Sequence, residues 1–89
     1  MKTSMYSLFD RKVGAYSQPF YAFNHQVAQR CLRGVVSDHR SIVAQSPADF
    51  DLYFVGEFDD ASALVVAAQP PVHVCNAVAV LSDDSSKKE

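Results

Sequence analysis

Three glycines, two cysteines and three histidines are all that this 89-residue chain has of the residue types that build many small-molecule sites. Gly14, Gly34 and Gly56 are too few and too scattered for a phosphate-cradling loop. Cys31 and Cys75 form no CxxC pair, and His25, His39 and His73 show no ligand spacing with them, so no metal and no other cofactor is expected. The thiols read as two buried groups of a reduced cytosolic protein, with a Cys31–Cys75 disulfide as the alternative. No serine, cysteine or lysine comes with a recognisable base motif, so the chain is expected not to be an enzyme. Acids are frequent from Asp49 to Asp60, but Asp59 and Asp60 sit where a turn is expected and match no calcium-loop spacing.

Long uninterrupted apolar runs are also missing. Residues 63–81 are mostly apolar but contain Gln69, Pro70, Pro71, His73 and Asn76, whereas a spanning helix needs about 20 apolar residues without a central Pro-Pro. Met1-Lys2-Thr3-Ser4 leads into an alternating pattern and not into the apolar core of a signal peptide. No membrane association is expected.

What is present is 48% hydrophobic residues, with four tyrosines and six phenylalanines, enough to fold. The expectation is one small domain over residues 1–81 and a disordered polar tail over residues 82–89. A core of this size carries roughly 5 kcal/mol of stability, so assembly into a homodimer is a natural way to bury more surface.

Met5–Asp10 alternates like a strand, Asp10–Gly14 reads as a turn, and residues 15–23 read as the returning strand. Pro19 confines that strand to an edge or a bulge. Asn24 is an N-cap for a helix whose stripe runs Val27/Ala28, Cys31/Leu32 and Val35/Val36 and which fades at residues 37–39. Ser46-Pro47-Ala48-Asp49 has a cap, a first-turn proline and an acid, and predicts one or two helical turns ending near Phe50. Residues 51–58 then form a strand, with Leu52, Phe54 and Phe58 on one face and Tyr53, Val55 and Glu57 on the other. A turn at residues 59–62 returns the chain through residues 63–69, and residues 72–81 read as one more strand. The predicted fold is α+β: ββαββ, two hairpins and one main helix on one face of an antiparallel sheet, with an additional C-terminal strand. One helix cannot cover both faces of such a sheet, so the other face meets solvent, a partner or a ligand.

Charge is divided along the chain. Residues 1–40 hold six basic groups against two acids, and residues 41–89 hold two lysines against eight acids, for an overall net charge of −2. Arg30 and Arg33 share one side of the predicted helix, and Arg40 joins them if the helix extends that far. Two readings stay open for Arg11, Lys12, Arg30, Arg33 and Arg40: an anion-facing surface, or a solvated face whose arginines answer the chain's own acids. The strand aromatics Tyr6, Tyr16, Phe20, Tyr21 and Tyr53 divide likewise between core packing and stacking on unpaired bases, with Tyr6 and Tyr16 as the candidate platforms.

Two segments, SLFDRKVGAYSQPF at residues 7–20 and PADFDLYFVGEFDD at residues 47–60, separated by one amphipathic helix, resemble the small nonstructural protein of gokushovirus-type microviruses, which are single-stranded DNA phages. The resemblance covers about residues 5–60 and fades after Asp60. It implies a phage protein acting in the cytoplasm of the infected bacterial host, as a DNA-binding protein or a regulator of single-stranded genome synthesis and packaging. It brings no catalytic residues. The expected function is therefore noncatalytic binding of single-stranded DNA or of the viral replication complex. The alternative is a module that binds a host or viral protein, such as a replication protein, through an exposed sheet face or edge.

Overall fold

A computed structural model describes residues 1–81; the predicted tail lies outside the described residues. Five antiparallel strands form one sheet: β1 (Lys2–Asp10), β2 (Ala15–Tyr16), β3 (Phe20–Ala22), β4 (Phe50–Asp59) and β5 (Val65–Asn76). The order is β2-β1-β4-β5, with β3 pairing β1 on the same side as β2. The α+β architecture with one main helix is the one the sequence predicts. Pro19 acts as expected: the returning strand breaks at residues 17–19 into two short edge pieces, paired at Phe9↔Tyr16 and Met5↔Tyr21. The Asp10 carboxylate accepts from the Lys12 and Val13 amides, and Gly14 closes the turn at φ +77°.

Helix α1 (His25–Ser37) begins where Asn24 Oδ1 accepts from the Val27 amide at 2.9 Å. Ala28, Leu32 and Val36 face the sheet and are buried with Tyr6, Phe50 and Leu52. A second, four-residue helix, α2 (Ile42–Gln45), is capped by Ser41 and buries Val43. Four residues are too few to show a hydrophobic period in the sequence. Pro47–Asp49 is a single 3-10 turn, and Ser46 makes no side-chain cap bond there.

Two expectations about the second half are corrected. Residues 63–69 and 72–81 are not separate strands: β5 runs through Pro70 and Pro71 to Asn76, and residues 77–81 are helical. Ala77 and Val80 from that helical turn are buried in the same core cluster as Ala28, Leu32 and Val36. In β4, the pairing moves from Tyr6↔Phe54 to Met5↔Gly56, leaving Val55 as an extra residue. A bulge of one residue inverts the alternation beyond it. Phe58, opposite Thr3, therefore joins Tyr53 on the face away from α1, while Glu57, opposite Ser4, moves to the helix side.

Candidate nucleic-acid interface

The sheet face opposite α1 is built by the odd positions of β1. Phe9 pairs with Tyr16 on β2, Ser7 with Tyr53 on β4, and Tyr53 with His73 on β5. The rings make one row: Phe9–Tyr16 centroids are 4.8 Å apart, Tyr16–Tyr53 5.5 Å and Tyr53–His73 5.3 Å. Farther along, Tyr21 meets Phe58 at 6.1 Å, a contact that the Val55 bulge creates. Among the described residues no helix covers this face. Tyr16 is 48% exposed and Tyr21 55%, while Phe9, Tyr53 and Phe58 are half-buried.

One end of the row is fixed by Asp51. Its carboxylate is buried, opposite Phe9, and accepts from Arg11 Nε at 2.6 Å and Nη2 at 3.1 Å, from Asn76 Nδ2 at 3.1 Å, and lies 3.1 Å from His73 Nε2. Burial pushes the Asp51 carboxyl up, but the bonds from Arg11, His73 and Asn76 outweigh it and hold the group below the ordinary carboxylate value. The same pair raises the Arg11 guanidinium, first through the hydrogen bond and then through the charge of Asp51. The Arg11 side chain stays 57% exposed beside the aromatic row. Lys12, next in the turn, is 77% exposed and 3.8 Å from Asp49.

The predicted site residues therefore divide. Arg11 and Tyr16 lie on the open face, whereas Lys12 turns toward Asp49 and shares a pocket with Ile42, Gln45 and Ser46 on the α2 side. Tyr6 is also off the open face: it points to the other side of β1, is fully buried, and its hydroxyl lies 2.7 Å from His25 Nδ1. It is a core residue and offers no ring to a base. The reason is register, since even positions of β1 face α1 and odd positions face outward. Burial raises the Tyr6 phenol above its ordinary value. Arg30 is exposed and Arg33 half-buried on α1, across the sheet from Tyr16. Arg40 lies beyond the end of α1, where it pairs with Asp38 at 3.2 Å, so the helix does not carry it into line with Arg30 and Arg33.

Phe9, Asp51, Phe58 and His73 belong to this face but were not singled out from sequence. The alternation of β1 could have found Phe9, which is two residues from Arg11; the other three depend on bulges and long-range pairing. Cys31 is exposed and Cys75 half-buried, so the expectation of two buried thiols fails for Cys31. A cavity of about 270 Å³ beside it is lined by Leu8, Phe20, Leu32 and Val35, an apolar set without acid–base groups.

Among the described residues no helix is long and apolar enough to cross a membrane. No curated protein and no solved structure shows significant similarity to the chain. A family pattern does: the one described as phage ORF5 protein matches residues 3–80, which spans all the strands and helices described above but for one residue at each end. With nearly the whole folded region matched, the chain belongs to the phage ORF5 protein family.

Proposed function

We propose that the protein is a noncatalytic, nonstructural protein of a gokushovirus-type microvirus that binds single-stranded DNA through its open sheet face, acting during genome synthesis or packaging in the cytoplasm of the infected bacterium. The observation that carries this reading is the uncovered row Tyr16–Phe9–Tyr53 with Arg11 at its end. Unpaired bases expose their π faces, and stacking each on an aromatic side chain contributes about 1–3 kcal/mol. Asp51 orients the guanidinium by its Nε and Nη2 donors. A guanidinium has five N–H donors, so Arg11 can still meet a phosphate. The rings meet tilted or edge to face, at 51° to 82°, so a base stacks on one exposed ring and not along the whole row. Bases paired and stacked inside a duplex are not free to do so, and the net charge of −2 gives little support to nonspecific duplex binding.

Titration of a fluorescent oligothymidylate by anisotropy at low and moderate salt tests the reading. Tyr16→Ala and Tyr53→Ala should each weaken binding about 5- to 150-fold, the equivalent of about 1–3 kcal/mol. Arg11→Ala should weaken it and flatten the salt dependence. Equal loss from Arg30→Ala/Arg33→Ala with none from the tyrosines would move the interface to α1 and reject the sheet face.

A second reading, docking of a viral or host replication protein, draws on the exposed Tyr21 and the half-buried Phe58 it meets at the far end of the same face. A stable complex with such a protein, together with no affinity for any oligonucleotide at low salt, would favour it.

A further inference from the structure

The two edges of the sheet differ sharply. On one side, β2 and β3 contribute two and three residues, interrupted by Pro19, and this edge offers no continuous ladder. On the other side β5 is twelve residues long and, among the described residues, pairs only with β4. Its first part, Val65 to Gln69, lies beyond the cover of the core. Val65 and Val66 point to opposite faces of the sheet, yet each is 60% exposed, and Leu64 before them is 62% exposed. An apolar ribbon bare on both faces and along its edge is the kind of strand that natural proteins normally protect with charge or proline.

Here the protection is partial. Residues 61–81 contain no Asp, Glu, Lys or Arg, and the prolines come only at positions 70 and 71. The Asp59 amide donates to the Leu64 carbonyl at 2.9 Å. With Phe58↔Val65 and Glu57↔Val66 as the following pairs, ladder alternation turns the backbone groups of Val66 toward β4 and those of Val65 and Ala67 outward.

We propose that two copies of the chain pair edge to edge through β5, antiparallel about Ala67. Ala67 then opposes Ala67 of the second copy, and Val65 opposes Gln69. A second copy fits this edge for two reasons. Isologous pairing sets each residue against its own kind of surface, and an uncharged segment meets no like charge in doing so. The described residues also form only one continuous edge, so pairing closes at two copies, and Pro70 and Pro71 limit the ladder to a short segment. The axis of such a pair stands normal to the sheet, so both open faces lie on the same side. The pairing does not rest on DNA binding, and either can fail without the other.

Sedimentation equilibrium of the full chain, across micromolar to submillimolar concentration, reads the assembly, with amide exchange reading the edge. The wild type should approach twice 9.8 kDa, with the outward Ala67 amide protected. Ala67→Lys places two ammonium groups opposite each other and should give a folded monomer by circular dichroism. Ala67→Pro removes an outward amide without touching the β4 ladder and should do the same. Tyr16→Ala/Tyr53→Ala should leave the dimer intact. A wild-type monomer throughout, a dimer that survives both Ala67 substitutions, or a dimer with an unprotected Ala67 amide overturns the proposal. So does dissociation by the tyrosine substitutions alone, which assigns the interface to the open face. Association of β5 only with a different protein would also overturn it.

Discussion

Replacing Gly56 with alanine should come close to unfolding the protein. Gly56 follows the Val55 bulge on the central strand β4, at φ +155°, where L side chains are strained. A Cβ built there runs into the Val66 carbonyl oxygen and comes within 3.2 Å of Ala67 Cα and 3.3 Å of the Val66 carbonyl carbon. All three are backbone atoms of the neighbouring strand, so no side-chain rotation relieves the contact. Conformational strain of this type costs about 1–3 kcal/mol. Overpacking against fixed neighbours costs about 1–3 kcal/mol more. The sum, about 2–6 kcal/mol, matches the whole stability expected of so small a domain, roughly 5 kcal/mol. Urea denaturation followed by circular dichroism is the assay. With a slope near 1 kcal/mol/M, the midpoint should fall by about 2 M or more, or the native baseline should vanish. Gly34→Ala is the control: it is exposed on α1, its Cβ meets nothing within 4 Å, and helix propensity should raise stability by about 0.5–1 kcal/mol. A Gly56→Ala midpoint within about 0.5 M of wild type would refute the close approach of β4 and β5 and the bulge that produces it.

Other substitutions probe the remaining contacts. Leu52→Ala removes a fully buried side chain of β4 and should cost about 2–5 kcal/mol by the same urea assay; a loss under about 1 kcal/mol would contradict its central place in the core. Asn24→Ala should cost about 1 kcal/mol, with loss of slow exchange at the Val27 amide, whereas unchanged exchange would argue against the cap. Asp51 has a folded-state value below the ordinary carboxylate value of 3.8, so its contribution is present above that pH and is lost as pH falls through the lower, folded value. Stability should therefore drop below about pH 4 in the wild type and do so less steeply in Asp51→Asn, which is also less stable at neutral pH. Identical acid limbs for the two proteins would show that the Arg11–Asp51–His73 contacts do not hold in solution.

Local chemistry made much of the fold legible. Asn24 capped the helix, Gly14 closed the turn, Pro19 broke the edge strand, and Ala28, Leu32 and Val36 of the predicted stripe faced the sheet while Cys31 and Val35 did not. What sequence could not supply were the places where an extra residue changes the count. Val55 is invisible as a bulge until its partner strand is known, and with it the face of Phe58. Pro70-Pro71 suggested a corner between two strands, yet β5 continues through them because residues 68–71 fall in an irregularity of the β4–β5 ladder, between Phe54↔Val72 and Gly56↔Ala67, where no amide is needed. The site was half legible for the same reason. Arg11, Lys12 and Tyr16 are local to one hairpin, whereas the choice of Phe9 over Tyr6 turns on which face of β1 the helix occupies. Asp51 looked like one of several cap and turn acids, and only pairing with Arg11 and Asn76 separates it from Asp59 and Asp60.

Photochemical cross-linking of an iodouracil-containing oligothymidylate, followed by peptide mass spectrometry, tests the proposed interface most directly. The photo-excited iodouracil reacts with side chains in contact with it, and most efficiently with an aromatic ring on which it stacks. The account predicts adducts at Tyr16, Tyr53 or Phe9 that disappear at high salt. Adducts confined to α1, or none at an oligonucleotide concentration that saturates binding, would contradict it.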